Sequence, residues 1–124
     1  MSLWVSTGII EVLQPLQPIE VMTATVMTDG QETQAVAIPP SPINRAIDLA
    51  FFAKFASNPP GTVDYQLQVA FNNVDAEFFD LGSTMTNTET VGGMVIVPDV
   101  VARFARVIAN DADTVAVTIA IMRM

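Results

Sequence analysis

Apolar residues recur along this chain mostly with a period of two. Tyr65-Gln66-Leu67-Gln68-Val69-Ala70-Phe71 alternates, with Tyr65, Leu67, Val69 and Phe71 on one face. Thr114 to Met122 repeats the pattern: Val115, Val117, Ile119 and Ile121 face one way, and Ala116, Thr118 and Ala120 the other. Val21 to Thr28 is rich in Thr, Val and Met, with Thr23 and Thr25 on a common face. Thr33 to Ile38 is a short candidate strand stopped by Pro39-Pro40, and Met94 to Val97 is another, ended by Pro98. β-Branched runs bounded by turn residues are the signature of strands.

Two segments fit either helix or strand. Ile43 to Ala56 has the length and alanine content of a helix. Read as a strand, it puts Ile47, Leu49, Phe51 and Phe55 on one face and Asp48 and Lys54 on the other. The strand is favoured, because Ser57-Asn58-Pro59-Pro60-Gly61 then forms a hairpin loop into the Tyr65 strand. Val100 to Ala109 leads through Asn110-Asp111-Ala112-Asp113 into the last strand and reads as a terminal hairpin. The expected fold is all-β: a β-sandwich or jelly roll of about eight antiparallel strands. It occupies residues 20–124, preceded by an N-terminal strand or arm over residues 1–19. In that first stretch Leu3, Trp4, Val5, Ile9, Ile10, Val12 and Leu13 are apolar, while Pro15 and Pro18 break regular pairing. A first strand is favoured over a docking arm, since an exposed apolar arm is costly in a free monomer.

A chain of 124 residues suits one domain. Its apolar share is 51% and its charged share 15%, against roughly 25% charged in average domains. Much of the surface is therefore uncharged, which predicts that part of it meets other protein subunits. The net charge is −8, and the five bases Arg45, Lys54, Arg103, Arg106 and Arg123 are dispersed. That balance argues against a nucleic acid partner and against anionic membranes. No uninterrupted apolar run reaches transmembrane length. Met1 to Pro15 lacks a basic leader region and carries Glu11, so synthesis in the cytosol is expected.

Candidate chemistry is sparse. With neither Cys nor His in the chain, disulfides, thiolate metal sites and the commonest general base are excluded. Acids cluster at Asp75, Glu77 and Asp80, and again at Asp111 and Asp113. Glu77-Phe78-Phe79-Asp80 sets two carboxylates beside aromatic rings, as a glycosidase pair would need. A solvated loop followed by a short strand explains the same residues more simply. The clusters Asn110, Asp111, Asp113 and Asn72, Asn73, Asp75 offer hard oxygen donors for calcium, yet neither has the spacing of an EF-hand loop. Asn and Asp are also ordinary turn formers. There is no Gly-x-Ser-x-Gly elbow and no nucleotide fingerprint, and Gly92-Gly93 reads as a turn or bulge. Trp4, Tyr65, Phe78 and Phe79 are candidates for a sugar platform, with core packing the competing explanation. Ideal alternation puts Arg106 on the face of Phe104 and Ile108, which implies a carboxylate partner within the chain or across a subunit contact. The expectation is a non-enzymatic chain without cofactor or metal.

The C-terminal half resembles a β-sandwich module of virion proteins in tailed bacteriophages. The similar stretches are Val63 to Phe71, Phe78-Phe79-Asp80-Leu81-Gly82-Ser83, Ala102-Arg103-Phe104-Ala105-Arg106-Val107 and the closing strand Thr114 to Ile121. Their order and spacing also look like discoidin-like carbohydrate-binding sandwiches. The resemblance implies a virion structural part, made in the host cytoplasm, of the capsid decoration or cement kind. Its implied partners are the major capsid protein or other virion proteins, together with further copies of itself. Residues expected at such contacts are Leu3, Trp4, Val5, Ile9, Ile10, Arg103, Arg106, Met122 and Met124. The competing expectations are a carbohydrate-binding module of a tail fibre or adhesin, and an enzyme using Glu77 and Asp80.

Overall fold

Alternation in the sequence becomes a division between core and surface along each strand. The computed structural model describes residues 11–14, 17–39, 46–56, 63–87, 92–110 and 115–124. They form β1 (Ile19–Val26), β2 (Val36–Ala37), β3 (Ile47–Phe55), β4 (Val63–Ala70), β5 (Phe79–Asp80), β6 (Met85–Asn87), β7 (Gly93–Val100), β8 (Phe104–Asn110) and β9 (Ala116–Arg123). A single 3-10 turn, Asp75–Glu77, precedes β5. The first sheet has the order β1-β9-β3-β7; the second runs β2-β8-β4-β5, with β6 also on β4. Every pair of strands is antiparallel.

The pairing is nested: β1 with β9, β2 with β8, β3 with β7, and β4 with β5 and β6. This is a long hairpin rolled across two facing sheets, the jelly-roll arrangement. The expected all-β sandwich is the fold observed. The strand reading of Ile43 to Ala56 holds for Ile47–Phe55, which pairs on both sides.

The two expected hairpins are not formed. β3 and β4 lie in opposite sheets, and so do β8 and β9. The reason is burial. In a hairpin, two adjacent strands turn their apolar faces the same way and both still need cover. Crossing to the other sheet turns Leu49, Phe51 and Phe55 of β3 towards Tyr65, Leu67 and Val69 of β4, and all six are buried. Val107 of β8 and Val117, Ile119 and Ile121 of β9 close the same core, which Leu13 joins from outside the strands. Leu13 is held by its N–H, which donates to the Ala37 carbonyl at 3.0 Å.

Three smaller expectations also change. Phe71 lies past the end of β4 and is 53% exposed, so it does not share the core face of Tyr65. The strand expected over Thr33 to Ile38 shrinks to Val36–Ala37. Pro98 does not end its strand: β7 continues to Val100. β7 is an edge strand, where a missing N–H costs no ladder bond. Its register slips there, since Leu49 pairs with Val97 but Ile47 with Val100. The extra residue forms a bulge in which Asp99 takes φ +57°, and its N–H donates to Asp48 Oδ1 at 3.1 Å.

The opposite edge strand, β1, slips twice against β9. Ala24 has φ +43° there, and its N–H donates to Thr118 Oγ1 at 3.0 Å. Bulged edges of this kind resist edge-to-edge pairing with other chains.

Candidate functional site

The two outward faces of the sandwich differ in chemistry. On the second sheet, the residues alternating with the core row Tyr65, Leu67, Val69 are Gln66 and Gln68, and opposite them on β8 stand Ile108 and Arg106. Gln66 Nε2 donates to the carbonyls of Leu81 (2.9 Å) and Gly82 (3.1 Å), and its Oε1 accepts from Thr84 Oγ1 at 2.8 Å. Gln68 Nε2 donates to Asp80 Oδ1 at 2.9 Å. Arg106 donates through Nε to Gln68 Oε1 (2.9 Å) and through Nη1 to Asp75 Oδ1 (2.7 Å), with Glu32 3.6 Å from Nη2. Its guanidinium lies 4.0 Å from the centroid of the Phe78 ring. The segment from Asp75 to Thr84 is thereby strapped over this face by polar side chains that would otherwise point to solvent. Their hydrogen-bonding capacity is largely committed within the chain.

The acids Asp75, Glu77 and Asp80 lie in this strap, while Asp111 and Asp113 lie outside the described residues. Glu77 sits on the 3-10 turn, where its Oε1 accepts from Asn72 Nδ2 at 2.9 Å. Asp80 is on β5 and is bonded to Gln68. Asp75, which with Asn72 and Asn73 offered oxygen donors but lacked a calcium-loop spacing, is ion-paired to Arg106. Among the described residues no group of three acids is placed to hold a metal ion, and no helix is long and apolar enough to cross a membrane. Tyr65 is 1% exposed and belongs to the core. Phe78 is half-buried against Arg106, while Phe79 faces solvent, as neighbours in an extended chain must diverge.

The outward face of the first sheet is apolar. On its central strand β3, Ala50 and Phe52 alternate with the core row, Ala50 fully buried by its neighbours and Phe52 half-buried, with exposed Asp48 and Lys54 at the two ends of the row. Register places Ile96 and Met122 on either side of Ala50, and Met94 and Ala120 on either side of Phe52. Met94 is 51% exposed and Ile96 48%. Met124 continues the β9 side of the face, and its N–H donates to the Asp48 carbonyl at 2.9 Å. A shallow depression lined by Phe52, Lys54, Gly92, Gly93 and Met94 marks one corner. Gly92 has φ +82°, and a Cβ there would run into the Ala53 carbonyl, so only glycine admits this approach of β7 to β3.

Of the contact residues expected from the sequence, Met122 and Met124 fall on this apolar face. Arg106 lies on the opposite face, on β8 with Phe104 and Ile108, and its charge is met by Asp75 and Glu32. Arg103 is exposed at one end of the sandwich, beside Val101 and close to Phe71, where its N–H donates to the Ala70 carbonyl at 3.0 Å. Leu3, Trp4, Val5, Ile9 and Ile10 lie outside the described residues. The reading by alternation missed the outward face of β3 and β7. Its signal was present in the unbroken apolar runs Leu49-Ala50-Phe51-Phe52-Ala53 and Met94-Val95-Ile96-Val97, which are apolar on both faces.

No family model matches the chain, and no curated protein matches it. Among solved structures, a Family 16 Carbohydrate Binding Module-2 is similar at a TM-score of 0.42 and 18% identity, over 79% of this chain and 73% of that one.

Proposed function

We propose that this chain is a non-enzymatic structural protein of a virion, a capsid decoration or cement protein that acts through protein–protein contacts. The observation that carries the reading is the apolar face formed by Phe52, Met94, Ile96, Ala120 and Met122, which no segment among the described residues covers and on which Met94 and Ile96 are exposed. Such a face has little to offer a polar solute and much to gain from a second protein surface. Its partners in this reading are the major capsid protein or other virion proteins and further copies of the chain. Binding only to assembled shell, it stabilises that shell by mass action, since the complex must be undone before the shell opens. The acids that an enzyme would need are held by neighbouring side chains in the strap.

A carbohydrate-binding module of a tail fibre or adhesin is the second reading. It draws on exposed Phe79, which lies on β5 next to Asp80 and across from Val69. One experiment separates the two. Particles stripped of the chain are mixed with purified protein and assayed for heat-induced opening, and the same protein is applied to an array of immobilised glycans. Saturable rebinding with a raised opening temperature supports the decoration reading. Binding to one glycan class without rebinding to particles replaces it with the second.

A further inference from the structure

We infer that the apolar face of the first sheet is a two-fold interface between two copies of this chain, packed sheet on sheet. The inference deepens the structural reading above and rests on it for the use of the face.

The outward row on β3 is self-complementary under a two-fold rotation. Its positions are Asp48, Ala50, Phe52 and Lys54, centred on inward-facing Phe51. A two-fold axis lying in the interface, perpendicular to β3, reverses the partner strand. It sets Asp48 against Lys54 of the second copy, and half-buried Phe52 over the position of Ala50, whose own neighbours already cover it, each twice. Acid then meets base at both ends of the row. The flanking strands repeat the fit. Register carries Met122 of β9 over Ala120 of the other copy, and Ile96 of β7 over Met94. An interface of this kind is isologous and closed, so it yields dimers and not filaments.

The charges are available for it. Asp48 Oδ1 accepts from the Asp99 N–H, which fixes the carboxylate while leaving its second oxygen free of that bond. Lys54 is exposed and makes no ion pair among the described residues. A parallel arrangement of the two strands would set Asp48 on Asp48 and Lys54 on Lys54, so the charges select the antiparallel one. Facing sheets lie about 10 Å apart, close enough for the row to interdigitate and for the two end pairs to meet at the rim.

Lys54 is the one lysine in the chain, which makes the test specific. Asp48 and Lys54 of a single copy are about 20 Å apart along an extended strand, too far for direct coupling. Purified chain is treated with a carbodiimide, which joins carboxylate to amine without a spacer, and the peptides are read by mass spectrometry. Sedimentation equilibrium gives the mass in parallel. The expected result is a dimer carrying an Asp48–Lys54 amide. Phe52→Asp should raise the dimer dissociation constant by at least about 30-fold, as loss of a central anchor does. Lys54→Glu should raise it by about 2- to 30-fold, the range for two rim pairs, with circular dichroism unchanged for both variants. A monomer in solution overturns the inference, as does a dimer that lacks the amide and is indifferent to Phe52→Asp. Particle rebinding by a monomeric protein would leave the decoration reading standing with this face turned to the shell. A dimer that never rebinds particles would sink that reading and leave the interface intact.

Discussion

Arg106 shows how a single charge organises one face of this protein. Its guanidinium is held by Gln68, Asp75 and Glu32 and capped by Phe78, with its side chain only 11% exposed. The planar fork is what lets one residue bond through Nε and Nη1 in different directions while stacking on a ring. Arg106→Lys keeps the charge and loses that geometry. It should therefore cost about 1–3 kcal/mol in urea unfolding, close to the loss for Arg106→Ala. A lysine variant with wild-type stability would mean that only the charge matters. Gly92 is a second sensitive position, because its φ is +82° and a Cβ would meet the Ala53 carbonyl. Gly92→Ala should lower stability by at least about 2 kcal/mol, from left-handed strain plus the clash. An unchanged urea midpoint would contradict the close approach of β7 to β3.

Among the elements, the strap from Asp75 to Thr84 depends on Gln66, which is 7% exposed and bonded to two strap carbonyls and to Thr84. Gln66→Leu fills similar space but leaves those carbonyls without their donor, a cost of about 1–3 kcal/mol. Limited proteolysis should then cut within residues 71–84 while the two sheets stay protected. Equal protection of strap and sheets would show that Gln66 does not fasten the strap. Alternation made the strand faces of β3, β4 and β9 legible, because period-two burial is local information. It did not reveal which strands pair. A hairpin and a crossover to the opposite sheet use the same alternating faces, and only the need to cover both apolar surfaces decides between them. The jelly-roll winding is thus a property of the whole set of strands. Of the candidate face, Met122 and Met124 are legible in the sequence as apolar residues near the C-terminus, whereas Phe52, Met94 and Ile96 are hidden inside runs apolar on both faces. Arg106 was correctly tied to a carboxylate partner, but its second bond, to Gln68, needs the β4–β8 register to be seen.

At the scale of the molecule, one sandwich presents two unlike surfaces. The second sheet is covered by its own polar strap; the first carries no such strap among the described residues and is apolar between Asp48 and Lys54, with Met94 and Ile96 exposed. A net charge of −8 elsewhere on the chain keeps such a protein dispersed until a complementary surface is met. That division fits the assembly role proposed above. The most direct test of the virion reading is to sediment native lysate from the source and quantify this chain in every fraction by mass spectrometry. The chain is expected to travel with virus-sized particles, at copy numbers comparable to the major shell protein. If the chain stays at the top of the gradient as a small soluble species, the virion reading is contradicted.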